Sequence, residues 1–383
     1  MKQKALDTRA FALIFAMLGL MATFLYLRSY FSQLAIDTRI GAVVTDQKQQ
    51  LWLAVPDKLV VVNTQGSVIK QLDTNSLGLK HLVADLAFRT PEEMWLRDIK
   101  GQLYKCTSFS QCQKIEVVPR VDKMQYVKLT SRGDGNIVLT DNWQGQVFVL
   151  DGQGKILAQS TGTRLNHPNG ALFTEQGFVQ ADTGGFRLMR WPYLKNSYIP
   201  NFTAPPELVV KTATMDMPQP MGVITPEDAQ KIGKALAATF YNQPYFFEQM
   251  ADGSWWILES GTVLDKGVLR QYDAQGKRVQ TVETPNTDPI SMTKLGQNNL
   301  ILADSLNSKL LDVYYQKSQF LDNVVLTVSP FGDGTVRDIL ENVNQTRGNY
   351  QLVAKVCLFL IALIPLAAIL LFRRLGYDLN AKL

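Results

Sequence analysis

Between two apolar ends the chain repeats one short pattern. A strand-like run and a tight turn lead to a second run that closes on a small or acidic residue, and a glycine turn and a further run follow. Residues 126–160 (YVKLTSRGDGNIVLTDNWQGQVFVLDGQGKILAQS) and 289–320 (PISMTKLGQNNLILADSLNSKLLDVYYQKSQF) show it most plainly. Aligning the ends of the second runs gives Val55, Asp98, Asp141, Asp182, Glu259 and Asp304, spaced 43, 43, 41, 77 and 45 residues apart. A four-stranded unit of roughly 40 to 50 residues cannot bury its own apolar faces, and does so by stacking on like units around a ring. Six units predict a mainly β, six-bladed β-propeller within residues 28–330. The long interval predicts an insertion at about 191–244.

The strands rest on β-branched and aromatic runs such as GQVFVLD and KLVVVN, bounded by Asp-Gly and Gln-Gly pairs suited to tight turns. Where an acid ends the second strand, it is read as a side-chain cap of the next turn, in preference to a metal or catalytic role.

The ends of the chain obey different rules. Residues Ala10 to Leu27 run eighteen positions without a charge, and residues 356–372 read VCLFLIALIPLAAILLF. With its flanks, each is long enough to cross a hydrocarbon core about 30 Å thick. The chain therefore reads as an N-terminal tail (1–9), a transmembrane helix (10–27), the propeller (28–330), an amphipathic linker helix (331–351), a second transmembrane helix (352–372) and a tail (373–383). Thr335 is the expected N-cap of the linker helix, which runs from Val336 to about Gln345. The first apolar segment could instead be a cleaved signal peptide. The sequence after it, Arg28-Ser-Tyr-Phe-Ser-Gln, offers no small-x-small cleavage site, which favours an uncleaved anchor. Ala12, Ala16 and Gly19 would let the two spans approach closely, and Pro365 predicts a kink in the second.

Charge orients the spans. The formal net charge is +5, and all of it lies near them. Residues 28–351 hold 32 basic and 32 acidic side chains, while Lys2, Lys4 and Arg9 precede the first span and Arg373, Arg374 and Lys382 follow the second. The positive-inside rule puts both termini in the cytoplasm and the bulk in the periplasm of an inner-membrane protein. A neutral middle domain argues against nucleic acid as a partner.

Cys106 and Cys112 flank a short loop between two strand-like runs, so in an oxidising compartment they can staple a hairpin; two free thiols are the alternative. Only His81 and His167 are present, which argues against zinc. The sequence contains no G-x-S-x-G elbow, P-loop or H-E-x-x-H. No cofactor is expected.

The insertion is rich in proline and aromatics. Thr225-Pro-Glu-Asp opens a predicted helix there, with Ile232, Ala235, Leu236, Thr239 and Phe240 on one face. Trp191, Tyr193, Tyr198, Phe202, Tyr241, Tyr245 and Phe246 are candidate partner-binding residues, because dense aromatics often anchor interfaces. The alternative is that they cover the propeller's own flank.

Residues 167–193, HPNGALFTEQGFVQADTGGFRLMRWPY, resemble a blade of the six-bladed gluconolactonase/regucalcin, strictosidine-synthase-like and NHL-repeat propellers. Over residues 40–328 the resemblance is mostly one of period. It implies the fold more than the activity. In the gluconolactonase-like enzymes the Asn of Pro-Asn-Gly helps bind a divalent metal in the channel, which here makes Asn169 a weak metal candidate. The family's further ligands have no counterpart: Pro220-Met221-Gly222 and Pro244-Tyr245-Phe246 lack the carboxylate, and Ile40-Gly-Ala-Val-Val lacks the Glu. A hard cation wants several oxygen ligands, so Asn169 reads as a turn residue. The function expected is a non-enzymatic periplasmic scaffold or accessory subunit whose partners are integral membrane proteins and the lipid bilayer. A membrane-tethered lactonase-type hydrolase and a small-ligand sensor are the rivals.

Overall fold

The computed structural model describes residues 8–117, 127–132, 135–160, 165–212, 243–260, 267–284, 289–304, 307–317 and 324–374. The helix expected at Thr225–Phe240, and Tyr241, lie outside these residues. The chain divides into two compact units, Ile40–Glu341 and a helical unit of Met1–Arg39 with Asn342–Leu383.

The first unit is a six-bladed propeller of four-stranded antiparallel sheets. Blade 1 holds β1 (Ala42–Thr45), β2 (Leu51–Val55), β3 (Lys58–Val62) and β4 (Val68–Asp73), and blade 2 holds β5 (Val83–Thr90), β6 (Glu93–Asp98), β7 (Leu103–Thr107) and β8 (Gln111–Ile115). Blade 3 holds β9 (Val127–Ser131), β10 (Ile137–Asp141), β11 (Gln146–Leu150) and β12 (Ile156–Gln159). In blade 4 come β13 (Pro168–Thr174), β14 (Gly177–Asp182), β15 (Arg187–Trp191) and β16 (Glu207–Lys211). Blade 5 holds β17 (Gln243–Gln249), β18 (Trp255–Ser260), β19 (Gly267–Tyr272) and β20 (Arg278–Thr284). Blade 6 holds β21 (Pro289–Leu295), β22 (Asn299–Asp304), β23 (Lys309–Lys317) and β24 (Val324–Pro330). Every aligned position of the repeat falls on the second strand of its blade.

Two sets of side-chain caps turn the chain at regular places. After the second strand, Asp98 Oδ1 accepts the N–H groups of Lys100 and Gln102, and Asp141 Oδ1 those of Trp143 and Gln144. After the third strand, Asn63, Asp151 and Asp273 do the same for Gln65 and Ser67, Gln153 and Lys155, and Gln275 and Lys277. Short polar side chains that mimic a backbone turn explain why the period is so constant. Gly41 is required for another reason: a Cβ there would stand 1.8 Å from the carbonyl oxygen of Val83 in the next blade.

Apolar side chains sandwiched between neighbouring blades form the core. Trp52, Ala54 and Leu59 of blade 1 pack on Leu86, Met94 and Leu96 of blade 2. Trp95 and Ala87 of blade 2 meet Ile137, Leu139 and Phe148 of blade 3. Equivalent clusters join blades 3 and 4, 4 and 5, and 5 and 6. Each large side chain buried this way contributes about 1.5–3 kcal/mol. The ring closes without exchanging strands, since each blade is one continuous segment. Blade 6 meets blade 1 through Ser291 Oγ donating to Val43 O (2.9 Å), Thr45 N–H donating to Thr293 Oγ1 (3.1 Å), and Gly296 N–H donating to Gln49 Oε1 (2.8 Å). Beyond β24, Asp333 N–H donates to Gly66 O (2.8 Å).

Cys106 and Cys112 face each other across β7 and β8 and form a disulfide.

The second unit contains α1 (Thr8–Asp37) and most of α2 (Gly334–Arg374). The linker helix and second span expected separately are one uninterrupted helix, and Pro365 lies inside it without ending it. Its cap is Asp333, whose Oδ1 accepts Val336 N–H (3.1 Å), and not Thr335. Aspartate just before the first turn satisfies an orphan donor, leaving Thr335 free to enter the helix. The Phe31 and Tyr350 rings meet at 6.1 Å, and Ala354, Cys357 and Ile364 are buried along one stripe of α2 at heptad-like spacing. Ala12, Ala16 and Gly19 are exposed, with nothing near Gly19, so they do not make the close approach expected of them. The contact stripe of α1 instead carries larger residues such as Met17, Met21, Phe24 and Phe31. Facing outward are Phe11, Phe15, Leu18, Leu25, Leu358, Phe359, Leu366 and Leu370. Both helices are long and apolar enough to cross a membrane.

Candidate functional site: the propeller channel

The first strands of all six blades line an axial cavity of about 640 Å³. Charged side chains reach it from five blades: Asp46, Asp85, Lys128, Arg132, Glu248 and Lys294. The acids are engaged by the chain itself. Asp46 accepts Lys48 N–H and Gln50 N–H at Oδ1, and Trp52 Nε1–H at Oδ2. Asp85 Oδ1 accepts Leu86 N–H (3.0 Å), and its Oδ2 accepts Leu129 N–H of the next blade at 2.6 Å. Burial pushes the Glu248 carboxyl up to about 7, although the Lys294 charge and backbone N–H beside it pull the other way. The cations are braced by aromatics. Lys128 Nζ reaches past blade 4 to stand 4.7 Å from the Phe246 ring centroid, and the Arg132 guanidinium lies 3.2 Å from that of Tyr198.

Asn169 is buried and is absent from the cavity lining. Its Nδ2 donates to Thr183 Oγ1 (2.8 Å) and to His167 O (3.1 Å), while Gln180 Nε2 donates to its carbonyl oxygen. Thr183 in turn donates to Pro244 O in blade 5 (2.7 Å). The Asn169 side chain therefore ties the start of blade 4 to its neighbour. Among the described residues no group of three or more His, Cys, Asp or Glu could hold a metal ion.

The structure separates the candidate partner-binding aromatics. Trp191 and Phe202 are core: both are buried with Phe178 between blades 3 and 4, because β15 points Trp191 inward and the following loop folds Phe202 back over it. They cannot anchor a partner. Tyr193 is half-buried, its hydroxyl donating to Thr174 O (2.7 Å) and its ring stacked on Phe173. Tyr198 is 45% exposed, and Leu194 in the same loop and Leu208 on β16 are exposed too. Tyr245 and Phe246 pack together at 5.1 Å, and Phe246 faces the cavity. The fourth strand of blade 4, β16, lies within the expected insertion.

No family model matches this chain, and no curated protein does. Solved structures are similar to it at low identity. Virginiamycin B lyase from Staphylococcus aureus is 12% identical, covering 78% of this chain and 85% of that one, with a TM-score of 0.47. Regucalcin from Agrobacterium tumefaciens, a calcium-binding protein, is 12% identical over 77% and 92%, with a TM-score of 0.48. A chain of the nidogen/laminin complex is 12% identical over 75% and 94%, also at 0.48. The six-bladed architecture rests on the strand pairing itself.

Two carboxyls give the propeller a pH signature. Burial pushes Glu259, like Glu248, up to about 7, outweighing Arg270 and the Tyr272 hydroxyl. In the unfolded chain both would titrate near the ordinary value of 4.5. Between these values the folded state holds protons that the unfolded state has released, so stability falls as pH rises through the window. Glu93 acts in the opposite sense: burial raises it, but Arg89, Trp95 and Lys105 together hold it below its ordinary value. Its contribution is lost only on stronger acidification. Urea midpoints should therefore be higher at about pH 5 than at about pH 8. A midpoint that climbs steadily from pH 5 to pH 8 would contradict this assignment.

Proposed function

We propose that the protein is a non-enzymatic scaffold or accessory subunit of an inner-membrane complex. It is anchored by both helices, with its termini in the cytoplasm and its propeller in the periplasm. The observation that carries this reading is the distribution of side chains along the paired helices. Their outward faces are apolar over a membrane-spanning length. Arg373 and Arg374 close α2 at one end. Tyr26, Tyr30 and Tyr350 lie toward the other, where amphipathic rings favour the headgroup region. Such an anchor holds a rigid disc beside other membrane proteins, and Tyr198 with Leu194 offers an exposed apolar place for them to grip.

The test is a photo-crosslinking residue at Tyr198 in native membranes, together with a reporter fused after Leu383. The expected results are one discrete adduct with an integral membrane protein and a cytoplasmic reporter. Crosslinks only to itself or to none, with a lone monomer in mild detergent, would sink the scaffold role. An extracytoplasmic reporter would sink the topology.

A further inference from the structure

We propose that the paired helices bind anionic phospholipid headgroups through Arg28 of α1 and Lys355 of α2. This rests on the membrane anchoring put forward above and names the lipid class that the anchor selects. The ring contact of Phe31 with Tyr350 sets the helices in register. The buried stripe of α2 extends past Tyr350 to Phe372, and only the part of α1 before Phe31 is long enough to cover it, so the two run antiparallel. At about 1.5 Å per residue, Arg28 and Lys355 lie about 4.5 Å and 7.5 Å to the same side of that contact, within about 3 Å of one depth. Both are exposed. Each also ends an uncharged run: residues 10–27 separate Arg28 from Arg9, and residues 356–372 separate Lys355 from Arg373. Those runs measure about 27–29 Å from cation to cation, close to a hydrocarbon core of about 30 Å. Arg28 and Lys355 therefore share one headgroup plane, at the end from which both helices continue into the propeller.

No acid competes for them. Asp and Glu are absent from Thr8 to Ile36 and from Asn342 to Arg374. The nearest acid along either helix, Asp37, lies about 13 Å of helix rise beyond Arg28, farther than the screening length of about 8–10 Å. Its Oδ1 already accepts Gln33 Nε2–H. Among the described residues neither Arg28 nor Lys355 forms an ion pair. Tyr26 and Tyr30, 69% and 49% exposed, flank Arg28 in sequence and stack on each other at 6.4 Å. Their amphipathic rings suit the same depth. Cations from both helices thus offer donors where lipid phosphates lie, the lysine as a point charge and the arginine as a fork of N–H groups. A zwitterionic headgroup brings its own ammonium and gains less from them, whereas an anionic one keeps its whole charge for the contact.

The test places a photo-reactive phenylalanine analogue at Tyr26 of the full chain, in vesicles of equal phosphatidylglycerol and phosphatidylcholine, and weighs the captured lipid by mass spectrometry. Phosphatidylglycerol adducts should exceed phosphatidylcholine adducts by about threefold or more. The excess should vanish in Arg28→Gln/Lys355→Gln and persist in Arg373→Gln/Arg374→Gln, whose charges lie at the opposite plane. Equal capture of the two lipids by the parent, or an excess that survives the loss of Arg28 and Lys355, overturns the proposal. Should the Arg28/Lys355 variant fail to insert, about 1 M NaCl must abolish the parent's excess by screening, and an excess that survives salt overturns it equally. The same analogue at Phe15, exposed within the uncharged run of α1, separates this result from the anchoring. No lipid adduct at Phe15 sinks the anchoring itself, whereas lipid captured there without a preference at Tyr26 sinks the headgroup site alone.

Discussion

Replacing Glu259 with alanine is expected to cost the propeller about 3–5 kcal/mol, read as a fall in the guanidinium unfolding midpoint at constant slope. Glu259 is fully buried, with its carboxylate bonded to the Arg270 guanidinium and accepting the Tyr272 hydroxyl at 2.6 Å. Tyr272 belongs to the apolar cluster between blades 4 and 5. Truncating the acid takes the Glu259 charge away from Arg270, a residue only 9% exposed, and leaves a tyrosine hydroxyl without its acceptor. Removing one partner of a buried pair is costlier than removing both. The double replacement Glu259→Leu with Arg270→Met should therefore recover most of the loss. If the single variant costs under about 1 kcal/mol, or the double variant costs more than the single, the pair is not what organises this blade.

Trp95→Ala should cost a similar amount, about 3–5 kcal/mol, for a different reason. Trp95 is wholly buried between blades 2 and 3 against Ala87, Ile137, Leu139 and Phe148, and its Nε1–H donates to Glu93 Oε1 at 2.9 Å. Truncation opens a cavity that two facing sheets cannot collapse to fill. Glu93 would keep Arg89 as a partner, so its charge would not be stranded. Trp95→Phe retains most of the ring and should cost much less. Hydrogen exchange would locate the damage, with protection lost first in β6 and β10. Protection lost evenly over all six blades would mean that this interface has no local role.

The ring was readable from sequence because its turns depend on particular polar side chains. Asp98 and Asp141 cap turns at fixed places, and a turn in register fixes the strands on both sides. The channel was less visible. Positions 42, 85, 128, 246 and 291 each lie thirteen residues before an aligned strand end, so the same alignment could have marked the innermost strands. Only their joint view across the ring reveals that Lys128 of blade 3 meets Phe246 of blade 5. Trp191 and Phe202 misled because aromatic density is equally a sign of packing between blades, and sequence does not say which way β15 faces. The linker and second span were divided at a change of polarity. Hydrogen bonding along a helix is indifferent to that change, and α2 runs through it.

Because no strand is traded between the first blade and the last, each sheet can be finished as soon as its own forty-odd residues have left the ribosome. Five of the six lateral contacts can then form in order, each sheet docking on the one before it. Only the contact that joins Val43 and Thr45 to Ser291 and Thr293 must wait for the sixth blade. A message cut short before that point would leave an open arc with two greasy flanks, a natural target for chaperones and proteases.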